Sequence, residues 1–177
     1  MRALFKNRRQ AGAKLAEKIN LSDEEKKDAV LIALPRGGVE VAVEISKTLN
    51  LPLDILIVRK VGHPLYSEYG IGAVTEDDFS WLDEEALGVE KIPQATLDEI
   101  FAEAKNEVLR RRFEYRKERP LIEVENKTVI IVDDGLATGV TARLAARYLK
   151  FRNAKKVVLS VPVCIGKSEH HIHEFDE

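Results

Sequence analysis

The stretch Thr128 to Thr141, Thr-Val-Ile-Ile-Val-Asp-Asp-Gly-Leu-Ala-Thr-Gly-Val-Thr, restricts the fold more than any other part of the chain. Val129 to Val132 is a short β-branched apolar run, which reads as a strand buried on both faces. Asp133 and Asp134 follow at once, so two carboxylates sit at the carboxyl end of that strand. Gly135 to Thr141 is a tight loop of small residues and hydroxyls, and a helix is expected from Thr141 to Phe151. Such a loop at a helix start offers backbone N–H groups, hydroxyl donors and the positive end of the helix dipole, which together cradle an anion, most simply phosphate. The acidic pair cannot take phosphate directly. It can hold sugar hydroxyls, a magnesium ion through water, or a developing cation. The stretch therefore points to a sugar phosphate.

The flanking segments alternate strand and helix. Phe5 to Ile19 has apolar residues at helical spacing with Lys and Arg between, and predicts a helix. Ser22 and Glu25 have capping-box spacing, so a short helical turn is expected within Leu21 to Asp28. Ala29 to Leu34 predicts a buried strand, ended by Pro35-Arg36-Gly37-Gly38; Val39 to Leu49 predicts a helix and Leu53 to Val58 a second strand. This is a βαβ unit with a parallel pair and a right-handed crossover. Arg59 to Gly70, punctuated by Gly62, Pro64 and Gly70, predicts an exposed loop or flexible flap. Ile71 to Thr75 predicts a third short strand, antiparallel or at an edge, and Glu76 to Lys91 is acidic and peripheral. Pro93 to Tyr115 predicts a long helix with Thr96 and Glu99 as its capping box. Its basic end, Arg110 to Arg119, reads as a solvated helix end or a subunit contact. A last strand is expected over Lys156 to Val163. The alternation predicts an α/β fold, a single domain over residues 1–165 with a mostly parallel five-stranded sheet flanked by helices. Residues 166–177 turn polar, acidic and His-rich and predict a disordered tail.

Composition narrows the function classes. A chain of 177 residues can bury one full core, and a formal charge of −2 gives no reason to expect a nucleic-acid or membrane partner. No apolar run approaches the ~20 residues of a membrane span. The basic residues Arg2, Lys6, Arg8 and Arg9 are not followed by an apolar segment, so no signal peptide is expected and the cytoplasm is the expected location. Cys164 is the only cysteine, which leaves no intrachain disulfide and no cysteine-based metal site. It reads as a small buried or tail-adjacent residue. His170, His171 and His173 read as tail residues rather than a metal site.

In open α/β sheets, ligands bind at the carboxyl ends of the strands. Three segments meet that condition: Pro35 to Gly38, Arg59-Lys60, and Asp133 to Thr141. Gly37 and Gly38 let backbone approach a ligand closely, and Arg36 with Arg59-Lys60 adds positive charge. They make a second anion site beside the first. Val-Ile-Ile-Val-Asp-Asp-Gly-Leu-Ala-Thr-Gly-Val-Thr resembles the phosphoribosyl pyrophosphate motif of the type I phosphoribosyltransferases. Leu34 to Gly38 resembles that family's pyrophosphate loop, and Arg59-Lys60 with the Gly-containing segment after it resembles the start of its flexible loop. From Leu34 to about Pro162, with Tyr115-Arg116 and Arg119-Pro120, the chain is similar to a bacterial and archaeal subgroup of predicted phosphoribosyltransferases.

The resemblance implies a type I phosphoribosyltransferase fold with a small or incomplete hood, because the chain turns polar after Val163. It implies that Asp133 and Asp134 hold the ribose hydroxyls as the catalytic pair. Gly135, Ala137, Thr138, Gly139, Val140 and Thr141 would wrap the 5′-phosphate. Arg36, Gly37 and Gly38 would contact pyrophosphate, one peptide there being cis, and Arg59 and Lys60 would meet its oxygens. A magnesium ion (Mg2+) would be held through substrate and water, with Asp133 and Asp134 as candidate ligands. The donor would be 5-phosphoribosyl 1-pyrophosphate and the acceptor a nitrogenous base, in a homodimer. The flap, with Tyr66 and Tyr69, would close over an oxocarbenium-like state. The alternative is a non-catalytic regulatory protein that binds phosphoribosyl pyrophosphate or a nucleotide. No segment carries a signature for a particular base.

Overall fold

Helix starts and stops along the chain follow from local chemistry. In the computed structural model, which describes residues 4–67, 69–88, 92–137, 139–164 and 175, the Asn7 side chain accepts the Gln10 N–H at 2.9 Å and caps α1 (Arg8–Ala16). Ser22 and Glu25 form the expected capping box at the start of α2 (Asp23–Asp28), with bonds of 3.2 and 2.8 Å. The apolar run that follows is β1 (Ala29–Ala33), and the two glycines after it open α3 (Gly37–Leu49). Asn50, in the left-handed conformation at φ 53°, ends α3. The chain continues through β2 (Leu53–Ile55), β3 (Val58–Gly62), β4 (Gly70–Thr75), β5 (Ser80–Leu82) and α4 (Glu84–Leu87). It then forms α5 (Gln94–Tyr115), β6 (Thr128–Val132), α6 (Val140–Phe151) and β7 (Lys156–Ser160).

These elements form two compact units. The first, Met1–Leu56 with Leu121–Glu177, holds a four-stranded parallel sheet in the order β2-β1-β6-β7. Every residue of β1 and β6 is buried, the pattern of strands covered on both faces. Leu31, Ala33, Ile130 and Val132 pack with Val41, Ala42 and Ile45 of α3. Each of the fully buried Leu, Ile and Val side chains contributes about 1.5–3 kcal/mol. On the outside of α3, α1 approaches closely: a Cβ at Gly12 would overlap the Val41 carbonyl oxygen, so only glycine fits.

The second unit, Ile57–Pro120, is an antiparallel sheet β3-β4-β5 packed with α5. Glu76, at the end of β4, and Arg116, just past α5, are both buried. Arg116 Nε donates to Glu76 Oε2 at 2.6 Å and its Nη2 to Oε1 at 3.2 Å. The Ile57 N–H donates to the same carboxylate at 3.1 Å, and Arg116 Nη1 reaches the Pro120 carbonyl at 3.1 Å.

Several expectations change. The α/β fold with a parallel core stands, but the parallel sheet has four strands, not five. The strand expected at 71–75, antiparallel or at an edge, is antiparallel and is the middle strand of its sheet rather than an edge, because the connection between β3 and β4 is too short for a parallel crossover. Arg59 and Lys60 are not loop residues: they lie within β3, opposite Val74 and Ala73. Helix α5 starts after Pro93, whose carbonyl accepts the Thr96 and Leu97 N–H groups, so the capping box expected at Thr96 and Glu99 lies inside the helix. The basic end of α5 is not uniformly solvated, since Arg116 is 5% exposed. Strand β7 ends at Ser160 rather than Val163, although a single parallel bridge joins Leu136 and Cys164.

Candidate active site

The carboxyl ends of β1, β6 and β7 are level in register: Ala33 pairs with Val132, and Val132 with Ser160. Two loops leave this edge within the first unit. One runs from Leu34, whose N–H donates to the Val132 carbonyl at 2.9 Å, through a cis Pro35–Arg36 peptide into α3. The other runs from Asp133 to Gly139 and into α6. The loops touch through their glycines. A Cβ at Gly38 would lie 2.5 Å from the Val132 carbonyl oxygen and 3.0 Å from the Asp133 Cα. A Cβ at Gly37 would overlap the Asp134 carboxylate. The pyrophosphate-loop candidates Gly37 and Gly38 and the acidic pair are thus brought together, while the Arg36 side chain is exposed.

The second loop closes on Gly139, whose φ of 73° favours glycine and whose carbonyl accepts the Arg143 N–H at 2.8 Å. The first-turn N–H groups of α6, beginning at Val140 and Thr141, have no helical partner and lie at the positive end of a 12-residue helix. Gly135 and Thr141 are half-buried and Ala137 is exposed. Thr138 lies outside the described residues.

Asp133 and Asp134 are half-buried, and the Asp134 N–H donates to Asp133 Oδ1 at 2.8 Å. Burial pushes the Asp133 carboxyl up to about 7, against the pull of that N–H, and the neighbouring Asp134 carboxylate adds to the rise. Asp134 is held by a residue that sequence reasoning did not single out for the site. Arg8 donates to Asp134 Oδ2 through Nε at 2.8 Å and approaches it through Nη2 at 2.7 Å, with Nη1 3.8 Å from Glu40. The hydrogen bond and charge of Asp134 raise the Arg8 pKa further. A signal existed: Arg8 and Arg9 begin a helix that has no acid in its first turn, where the dipole favours the opposite charge.

Arg59 and Lys60 belong to the second unit and are half-buried on β3. The connection after β3 is exposed at 64–67 and 69, as expected of a loop there, and the His63 N–H donates to the Tyr69 carbonyl at 2.8 Å while the Tyr66 ring stacks on His63 at 5.5 Å. Tyr66 and Tyr69 are exposed. Cys164 is exposed rather than buried. His170, His171 and His173 lie outside the described residues, as do the other residues of 166–177 apart from Phe175.

The edge thus brings two adjacent acids at the end of β6 to the glycine-opened start of α3, with α6 following from the same loop. A sequence profile of the phosphoribosyl transferase domain matches residues 3–174, and the chain belongs to that family. Two Mycobacterium tuberculosis proteins, from strains CDC 1551 / Oshkosh and H37Rv, carry provisional names as phosphoribosyl transferases. Each is 39% identical to this chain over 160 residues, or 90% of it. The match covers 36% of each of those relatives, so the chain spans about a third of their length. The crystal structure of TT1426 from Thermus thermophilus is 35% identical, with a TM-score of 0.80 over 97% of this chain and 80% of that one. A hypoxanthine-guanine phosphoribosyltransferase from Bacillus anthracis shares the fold at a TM-score of 0.52 and 12% identity, over 91% of this chain and 70% of that one. No helix among the described residues is long and apolar enough to cross a membrane.

Proposed function

We propose that the chain transfers the 5-phosphoribosyl group of 5-phosphoribosyl 1-pyrophosphate to a nitrogenous base and releases pyrophosphate. The observation that carries this reading is the meeting of Asp133 and Asp134 with Gly37 and Gly38 at one sheet edge, beside the α6 N-terminus. The loop from Gly135 to Thr141 binds the 5′-phosphate with backbone N–H groups and hydroxyls. The acidic pair holds the ribose hydroxyls. The backbone at Gly37 and Gly38 and the side chain of Arg36 face the pyrophosphate.

The anomeric carbon–oxygen bond to pyrophosphate breaks and carries its electron pair away. A carbon–nitrogen bond to the base forms, and the base nitrogen loses its proton. Positive charge grows on the ribose ring and negative charge on the leaving group. Carboxylates beneath the one and cations beside the other lower the barrier at both ends. Among the described residues no three His, Cys, Asp or Glu side chains converge as a metal cage. Two adjacent carboxylates instead suit a magnesium ion that takes most of its ligands from substrate and water, with Asp133 and Asp134 as the protein's contribution. When bound, such an ion supplies charge neutralisation for the pyrophosphate.

The test is a pyrophosphate-release screen with 5-phosphoribosyl 1-pyrophosphate, magnesium and a panel of purine and pyrimidine bases. Release that depends on one base supports the transferase and names its acceptor. Tight binding of the sugar donor with no turnover on any base would overturn it in favour of a regulatory binding protein.

A further inference from the structure

The N-terminal helix breaks a local rule. Helix starts favour Asp and Glu, yet α1 begins Arg8-Arg9 and carries no acid in its first turn. Such a departure calls for a compensating partner elsewhere in the fold. For Arg8 that partner is Asp134, 126 residues away, approached by Nε and Nη2 at 2.8 and 2.7 Å through one oxygen, Oδ2. The same carboxylate lies against Gly37, at the N-terminus of the 13-residue α3. Three constraints therefore fix it: the guanidinium, the glycine surface and the positive end of a helix.

The backbone that carries Arg8 is held in place, while its side chain is 51% exposed. The Asn7 cap fixes the first turn of α1, and Ala11 and Ala16 are buried. Gly12 lets the helix backbone touch α3 at Val41. The α1–α3 contact thus sets the height of Arg8 over the start of α3. Glu40, on the first turn of α3, lies 3.8 Å from Nη1. Arg9 follows directly in the chain but is exposed and forms no ion pair among the described residues.

We propose that Arg8 is a positioning residue of the candidate site: it orients the Asp134 carboxylate for the ribose hydroxyls, so α1 is part of the sugar subsite. This rests on the phosphoribosyl-transfer reading given above. A guanidinium that donates to one carboxylate oxygen through Nε, with Nη2 close to the same oxygen, holds that oxygen and leaves the rest of the group to the ligand. Arg8 acts through Asp134 and needs no contact with the sugar.

The test is titration calorimetry of 5-phosphoribosyl 1-pyrophosphate with magnesium, together with melting curves, for the wild type, R8Q, R8K, R9Q, D134N and R8Q/D134N. R8Q is expected to weaken binding about tenfold, the loss of one charge-assisted bond, with little change in melting temperature. R8K restores part of the loss, R9Q binds as the wild type does, and R8Q adds nothing in the D134N background. Additive losses, an equal loss in R9Q, or tighter binding by R8Q would overturn the proposal. If the wild type itself fails to bind, the transfer reading falls, and the crystal structure of R8Q decides the role of Arg8. A carboxylate displaced from Gly37 supports positioning; an unmoved one refutes it.

Discussion

Gly37 has no space for a methyl group, because the Asp134 carboxylate occupies it. Gly37→Ala must push that carboxylate aside, so sugar-donor affinity should fall by at least about tenfold. The group that must shift is the far end of a side chain rather than backbone, so stability should change little. Calorimetry and thermal melting check the two effects separately. Asp133 offers a second measurement at this scale. Its carboxyl is raised from the usual 3.8 to about 7, chiefly by burial. The folded state therefore holds the proton more tightly than the unfolded chain, and stability is lost as pH rises from about 4 through 7. Melting temperatures between pH 5 and 8 should fall more steeply for the wild type than for Asp133→Asn. Over the same range, donor binding should strengthen as the carboxylate ionises and accepts the ribose hydroxyls. A pH-independent difference between the two proteins would contradict this assignment. Neither residue's environment is local: Asp133 and Asp134 are visible in the sequence as a pair, but their burial and the guanidinium against them are not.

At the scale of elements, the end of α5 is tied down by one buried ion pair. Removing Glu76 leaves the Arg116 guanidinium buried without its carboxylate, so Glu76→Ala should destabilise by about 3–5 kcal/mol. Arg110→Ala, which breaks exposed pairs with Glu107 and Glu114, should cost less than about 1 kcal/mol. Denaturant melts of the two variants test the contrast, and equal losses would show that Glu76 is not the anchor. In the sequence, Arg110 to Arg119 reads as one basic end. Periodicity assigns a face to each residue of a helix, but Arg116 lies just past the helix, where the partner's burial decides. The elements legible in advance were those with local signals. The Ser22–Glu25 box, the glycines opening α3 and the apolar runs of β1 and β6 each act over a few residues.

At the scale of the molecule, ligand binding should be readable as stability. A donor that binds only the folded state adds about 2.7 kcal/mol at one hundred times its dissociation constant. Saturating 5-phosphoribosyl 1-pyrophosphate with magnesium should therefore raise the melting temperature of the wild type. It should leave the Asp133→Asn, Asp134→Asn double variant unmoved, with both proteins folded in its absence. A shift of the same size in the double variant would place the donor elsewhere. The alternation of strand and helix, the acidic pair at a strand end and the two glycine-opened helices are all legible in the linear chain. Hydrophobic period, caps and turn residues are encoded within a few positions of one another. The meetings of Glu76 with Arg116 and of Arg8 with Asp134 are products of the tertiary structure. Those outcomes depend on which distant segments share one buried space, and a charge or strand carries no local mark of its partner.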